Sequence, residues 1–269
     1  MELIKNARRK SLFSNIAHAL LNIIVAIAAV VVIQFTESLF LSILIILISK
    51  WRVFAVRPRF WLANLQSNLV DYIVNLSLVV LMFIVHTSNV ITIEKNIVVG
   101  IYFLIYVIWL IYIKPKSKRK FMVLQSGLAL FLGVSALYSI SYDWWASLVV
   151  LFMWVIGYGI SRHVLSSYEE PKMNTIALYF ALIFAELGWV AYQWTVAYVP
   201  FGVSALSFPR AALTILCLSI ITYKCYDSIH RNEKIRWSYI KTSISFSFCI
   251  IVLLPIMLSL IGPNVPVGL

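Results

Sequence analysis

Residues 14–49 read SNIAHALLNIIVAIAAVVVIQFTESLFLSILIILIS and hold a single charged side chain, Glu37. As one helix this run is about 54 Å long, far more than the roughly 30 Å of a bilayer's hydrocarbon core. The polar triplet Thr36-Glu37-Ser38 therefore predicts a turn between two apolar spans. The second span is short, and Lys50 and Arg52 at its end are expected to snorkel towards headgroups.

The same character extends along the chain. Of its 269 residues, 62% are hydrophobic and only 12% charged, with a mean hydropathy of +0.94. Soluble domains carry about 25% charged residues. Lipid is the solvent that accommodates this much apolar surface in a chain of this size. The expected fold is an all-α polytopic helical membrane protein, one integral membrane domain over residues 1–269. Nine spans are read at about 14–33, 37–50, 68–86, 97–113, 121–140, 144–161, 174–197, 206–224 and 240–261. The first follows a basic stretch like that of a signal peptide, but its apolar run leads straight into a second span, so it is expected to be retained.

The net charge is +12. In a soluble protein that would suggest nucleic acid; here the charges lie between apolar runs, and no nucleic-acid partner is expected. With the N-terminus inside, twenty of the 22 basic residues fall on the cytoplasmic side, leaving Lys95 and Arg210 outside. Cytoplasmic loops carry such an excess, which gives an N-in, C-out topology and a cytoplasmic face suited to anionic lipid headgroups. The spacing of about 53 residues between the starts of spans three, five and seven fits a parallel repeat or simply the common length of a two-span hairpin.

Polar groups inside apolar spans are the candidate site, because ionisable side chains within a membrane are expensive and tend to face other helices or a cavity. Glu186 stands mid-span in ALIFAELGWVAYQW (181–194), with Trp189 and Gln193 one and two turns on. Arg210 is its natural ionic partner if span eight begins before it. In span three, Asn64, Asn68, Asp71 and Asn75 recur at spacings of 4, 3 and 4, which places them on one helical face; span one offers Asn15, His18 and Asn22. These stripes read either as interhelical glue or as the lining of a vestibule. The segment KWRVFAVRPRFW (50–61) reads as interfacial, with Arg52, Arg57 and Arg59 against lipid phosphate. The run KPKSKRK (114–120) reads as a topology signal.

No HExxH, GxSxG or Walker A motif and no paired-aspartate motif occurs, and the histidines and cysteines lack metal-ligand spacing. No cofactor, metal or catalytic residue is expected, and enzyme activity is the less favoured reading. The AELGW stretch, with Glu186, Trp189, Tyr192, Trp194 and the turn at Pro200, and the WRVFAVRPRFW segment resemble uncharacterised multi-pass membrane proteins of small-genome, candidate-phylum bacteria over about a third of the chain. That resemblance implies a bacterial cytoplasmic (inner) membrane and no known activity. The expected function is handling or transport of a small solute or lipid through a polar cavity among spans one, three and seven. The alternatives are a scaffold subunit, as a homo-oligomer or with membrane-complex partners, and a lipid-modifying enzyme.

Overall fold

The run from Ser14 to Ser49 breaks at its polar triplet. The computed structural model describes residues 20–21, 23–55, 57–194, 197–199, 203 and 205–261. In it, α1 (Ile23–Thr36) ends where the Thr36 hydroxyl folds back on the Val32 carbonyl at 2.7 Å. Glu37 takes a left-handed φ of 48°. Ser38 then caps α2 (Leu39–Ser49), accepting a hydrogen bond from the Leu41 amide, as serine does at a helix start. At 11 residues, α2 is about 17 Å long, half the hydrocarbon thickness.

After α2, a turn at Trp51–Val53 and a second at Pro58–Phe60 lead to α3 (Trp61–Ser67) and α4 (Leu69–Thr87). Proline occupies the first position of the second turn, where its missing N–H removes no bond. Next come α5 (Thr92–Ile108), a π turn at Trp109–Ile113, α6 (Arg119–Ile140), α7 (Ala146–Ser166), α8 (Met173–Gln193), two-residue strands β1 (Ala197–Tyr198) and β2 (Phe208–Pro209), α9 (Arg210–Asn232) and α10 (Trp237–Ile261). The strands pair antiparallel, Ala197 opposite Pro209.

Six helical segments are long and apolar enough to cross a membrane: α4, α5 with its π turn, and α6 to α9, of 19 to 23 residues each. At 1.5 Å per residue they measure about 28–35 Å, matching a bilayer core. They coincide with the third to eighth expected spans. The first, second and ninth fall on α1, α2 and α10, whose apolar stretches are shorter among the described residues.

The chain forms two compact units, divided at Gln125/Ser126. In the first, α4 packs against α2 and α5 and buries Val70, Val74, Leu78, Met82 and Val85. In the second, α7 and α8 make the most extensive pairing and α9 packs along α10. Glycine sets the approach of α7 to α8: a Cβ on Gly157 would lie 2.5 Å from the Phe184 Cβ, and one on Gly188 would lie 2.5 Å from the Met153 Cγ. Without a water-driven hydrophobic effect, helices in lipid associate through such close packing.

Candidate functional site

The strongest polar centre lies in the first unit, around Asp71. This residue sits in the first turn of α4, where the helix dipole favours a negative charge, and its side chain is only 10% exposed. One carboxylate oxygen, Oδ2, takes two ammonium groups: Lys50 Nζ at 2.5 Å and Lys114 Nζ at 2.9 Å. The other, Oδ1, accepts from Asn75 Nδ2 at 3.1 Å and Trp109 Nε1 at 3.3 Å. Two cations thus share one anion, leaving a formal charge of +1. Lys50 is nearly enclosed, its side chain 12% exposed; Lys114 is 34% exposed and keeps contact with the surroundings.

Local structure explains how groups so distant in sequence meet. Lys50 caps the C-terminal end of α2, and α2 lies against α4, so a side chain expected to snorkel outward crosses to Asp71 instead. The π turn brings in the other two. In an α-helix, residues five apart point about 140° away from each other. Here the Lys114 amide bonds the Trp109 carbonyl at 2.9 Å, a five-residue step, and Trp109 and Lys114 both reach Asp71. Single π turns inside helices are frequent at functional sites. Gln125 Nε2 then donates to the carbonyls of Ile113 at 2.8 Å and Lys116 at 2.9 Å, closing the backbone around the turn. Two buried polar atoms beside the centre, Asn75 Oδ1 and Tyr72 Oη, have no hydrogen-bond partner among the described residues.

No family model matches the chain, and neither a curated protein nor a solved structure matches it. The resemblance carried by the AELGW stretch gains no support from these comparisons.

The candidates read from sequence separate in space. Asp71 and Asn75 belong to the centre. Asn68 stands at the break between α3 and α4 and bonds back to the Asn64 carbonyl at 2.8 Å, while Asn64 Nδ2 holds the Val53 carbonyl at 2.8 Å. Those two amides therefore brace the chain entering α4 and do not bond Asp71. His18 and the Arg52 side chain lie outside the described residues. Arg57 and Arg59 are exposed, Arg59 lying 4.6 Å over the Phe60 ring, beside exposed Trp51, Phe54 and Trp61. Glu186, Gln193 and Arg210 are exposed. Glu186 stands on the exposed side of α8, and no ion pair joins it to Arg210 among the described residues.

Two partners of Asp71 escaped the sequence reading because their charge had a simpler explanation. Lys50 and Lys114 both flank apolar runs, where lysine marks topology. Trp109, an aromatic ring in an apolar run, gives no sign in sequence of its burial, and is 2% exposed. A second polar cluster, in the other unit, was missed entirely. Asp227 is fully buried and accepts from Tyr168 Oη at 2.7 Å, Tyr239 Oη at 2.6 Å and Arg231 Nε at 3.0 Å. Tyr168 packs edge-on against Tyr226 and His230, and Tyr226 donates to Glu170 at 2.6 Å. Burial, and then the hydrogen bond to Asp227, push the Tyr168 hydroxyl well above its ordinary pKa. The available signal was the Asp227–Arg231 pair at helical spacing. This cluster ties the α7–α8 connection to α9 and the start of α10, with three donors on one carboxylate, and is a clamp.

Proposed function

We propose that the chain is a nine-span, N-in and C-out protein of a bacterial cytoplasmic membrane that handles or transports a small anionic solute or lipid, engaging the anionic group at the Lys50–Asp71–Lys114 centre. The observation that carries this reading is the charge imbalance: two ammonium groups on one buried carboxylate. Uncompensated charge away from water is costly, and a phosphate or carboxylate drawn to Lys114 neutralises it. In the proposed topology both lysines belong to cytoplasmic segments, at the level where anionic headgroups concentrate. This moves the site from the expected space among spans one, three and seven to the end of α2, the start of α4 and the π turn after α5.

The test is binding by the purified chain in nanodiscs of neutral lipid, titrated with inorganic phosphate and, separately, with phosphatidylglycerol. Loss of a charge-assisted hydrogen bond corresponds to about tenfold or more in affinity, so Lys114→Ala is expected to weaken one of the two by that factor while Arg57→Ala does not. Equal binding by Lys114→Ala and the unaltered chain for both probes overturns the proposal. The scaffold reading is favoured by a separate observation, the polar exposed face of α8.

A further inference from the structure

Helix α8 is two-faced. Ala177, Ala181, Phe184, Ala185 and Gly188 are buried, and the glycine contacts direct this side to α7. The opposite side is exposed along its length: Tyr179, Leu182, Ile183, Glu186, Trp189, Val190 and Gln193. Its polar members have a strict period. Tyr179, Glu186 and Gln193 are separated by seven residues and seven again, and Leu182 and Trp189 fall three after the first two. These are the a and d positions of a heptad, the pattern of a left-handed helix–helix seam.

The seam lies within a span. With 21 residues, α8 is about 31 Å long, and Glu186 is about 10 Å from its C-terminal end. An ionisable residue at that depth almost always faces protein or water, yet Glu186 has no hydrogen bond or ion pair among the described residues. We infer that the α8 face Tyr179–Leu182–Glu186–Trp189–Gln193 is a homodimer interface, occupied by the same face of a second copy of this chain in parallel orientation.

Self-complementarity selects that occupant. In a parallel two-fold pair each a residue meets its own counterpart at the same depth. Gln193 against Gln193 matches amide donor to amide acceptor. Glu186 against Glu186 sets carboxyl beside carboxyl, a pair in which a protonated oxygen donates to the other group's acceptor oxygen. Polar residues at a positions fix register and oligomer state. The seam presents no lysine or arginine, so a carboxyl in need of a donor at this depth is met by its own copy. The inference stands apart from the Asp71 centre, which lies in the other unit.

The experiment uses the full chain with Cys217, Cys225 and Cys249 replaced by alanine, and single cysteines at Leu182 or, as control, at Leu104, an exposed residue of α5. Under mild oxidation in membranes, Leu182→Cys is expected to form a disulfide-linked dimer and Leu104→Cys to stay uncross-linked. Subunit counting of the unaltered chain in nanodiscs is expected to give two copies. Glu186→Ala, which loses the hydrogen bond between the two carboxyls, is expected to raise the dissociation constant about threefold, and Glu186→Gln to restore it. A count of one, equal cross-linking at both positions, or capture of a chain of different mass through Leu182→Cys overturns the inference.

Discussion

Replacing Asp71 by Asn removes the carboxylate that Lys50 and Lys114 share while keeping shape and the capacity to accept from Asn75 or Trp109. Two ammonium groups then face each other without an anion. Breaking a buried pair by deleting one partner costs about 3–5 kcal/mol. The alternative route, in which a lysine of ordinary pKa sheds its proton at pH 7, costs about 4.6 kcal/mol, so the two routes limit the damage to a similar value. The lower end is favoured because Lys114 is 34% exposed and its charge is partly screened. Lys114→Ala acts differently: it leaves a one-to-one Asp71–Lys50 pair at 2.5 Å and is expected to cost about 1 kcal/mol or less. Lys50→Ala falls between, since its side chain is only 12% exposed. Thermal unfolding in detergent reads the series; 3–5 kcal/mol corresponds to a midpoint shift on the order of 10 °C for a chain of this size. Asp71→Asn unfolding at the same temperature as the unaltered chain, or Lys114→Ala proving the more damaging, would show that the two lysines do not depend on this carboxylate.

Other outcomes follow from particular contacts. Gly157→Ala drives a methyl into Phe184 and is expected to destabilise by about 1–3 kcal/mol, whereas Gly100→Ala, with nothing within 4 Å, is expected to be neutral or to stabilise by up to about 1 kcal/mol; melting curves of the pair decide it. Glu233 ends α9 in a left-handed conformation with φ 57°, so Glu233→Gly is expected to gain about 1 kcal/mol in the same assay. The Tyr168 pKa is raised by burial and by Asp227; its folded form holds the proton more tightly than the unfolded chain, so its contribution is complete below about pH 10 and fades as pH rises further. Stability measured from pH 8 to 11 is expected to fall less steeply in Tyr168→Phe, which at neutral pH loses about 1.5–3 kcal/mol with the bond to a charged acceptor.

Much of the architecture was legible because hydropathy is a local sum. The turn at Thr36-Glu37-Ser38 follows from a run too long to be one span, and the third to eighth expected spans lie on six helices of bilayer length. Asp71 was conspicuous for the same reason, as a carboxylate in an apolar run. Its partners were not: Lys50 and Lys114 lie 21 and 43 residues away, and a lysine flanking a span satisfies the positive-inside pattern whichever way its side chain turns. The five-residue step after Trp109 has no periodic signature in a stretch that is apolar on all sides.

From sequence alone came the long apolar helices and the places of Asp71 and Glu186 along them, since these depend on how many apolar residues stand in a row. Only the tertiary structure decided which side of a helix each acid occupies. Gly157 and Gly188 admit α7 on one side of α8 and so turn Glu186 to the other. The packing of α2 against α4 aims Lys50 inward. Helical rotation is set by shape-matching between distant surfaces, and composition along a single strand of residues does not encode that match.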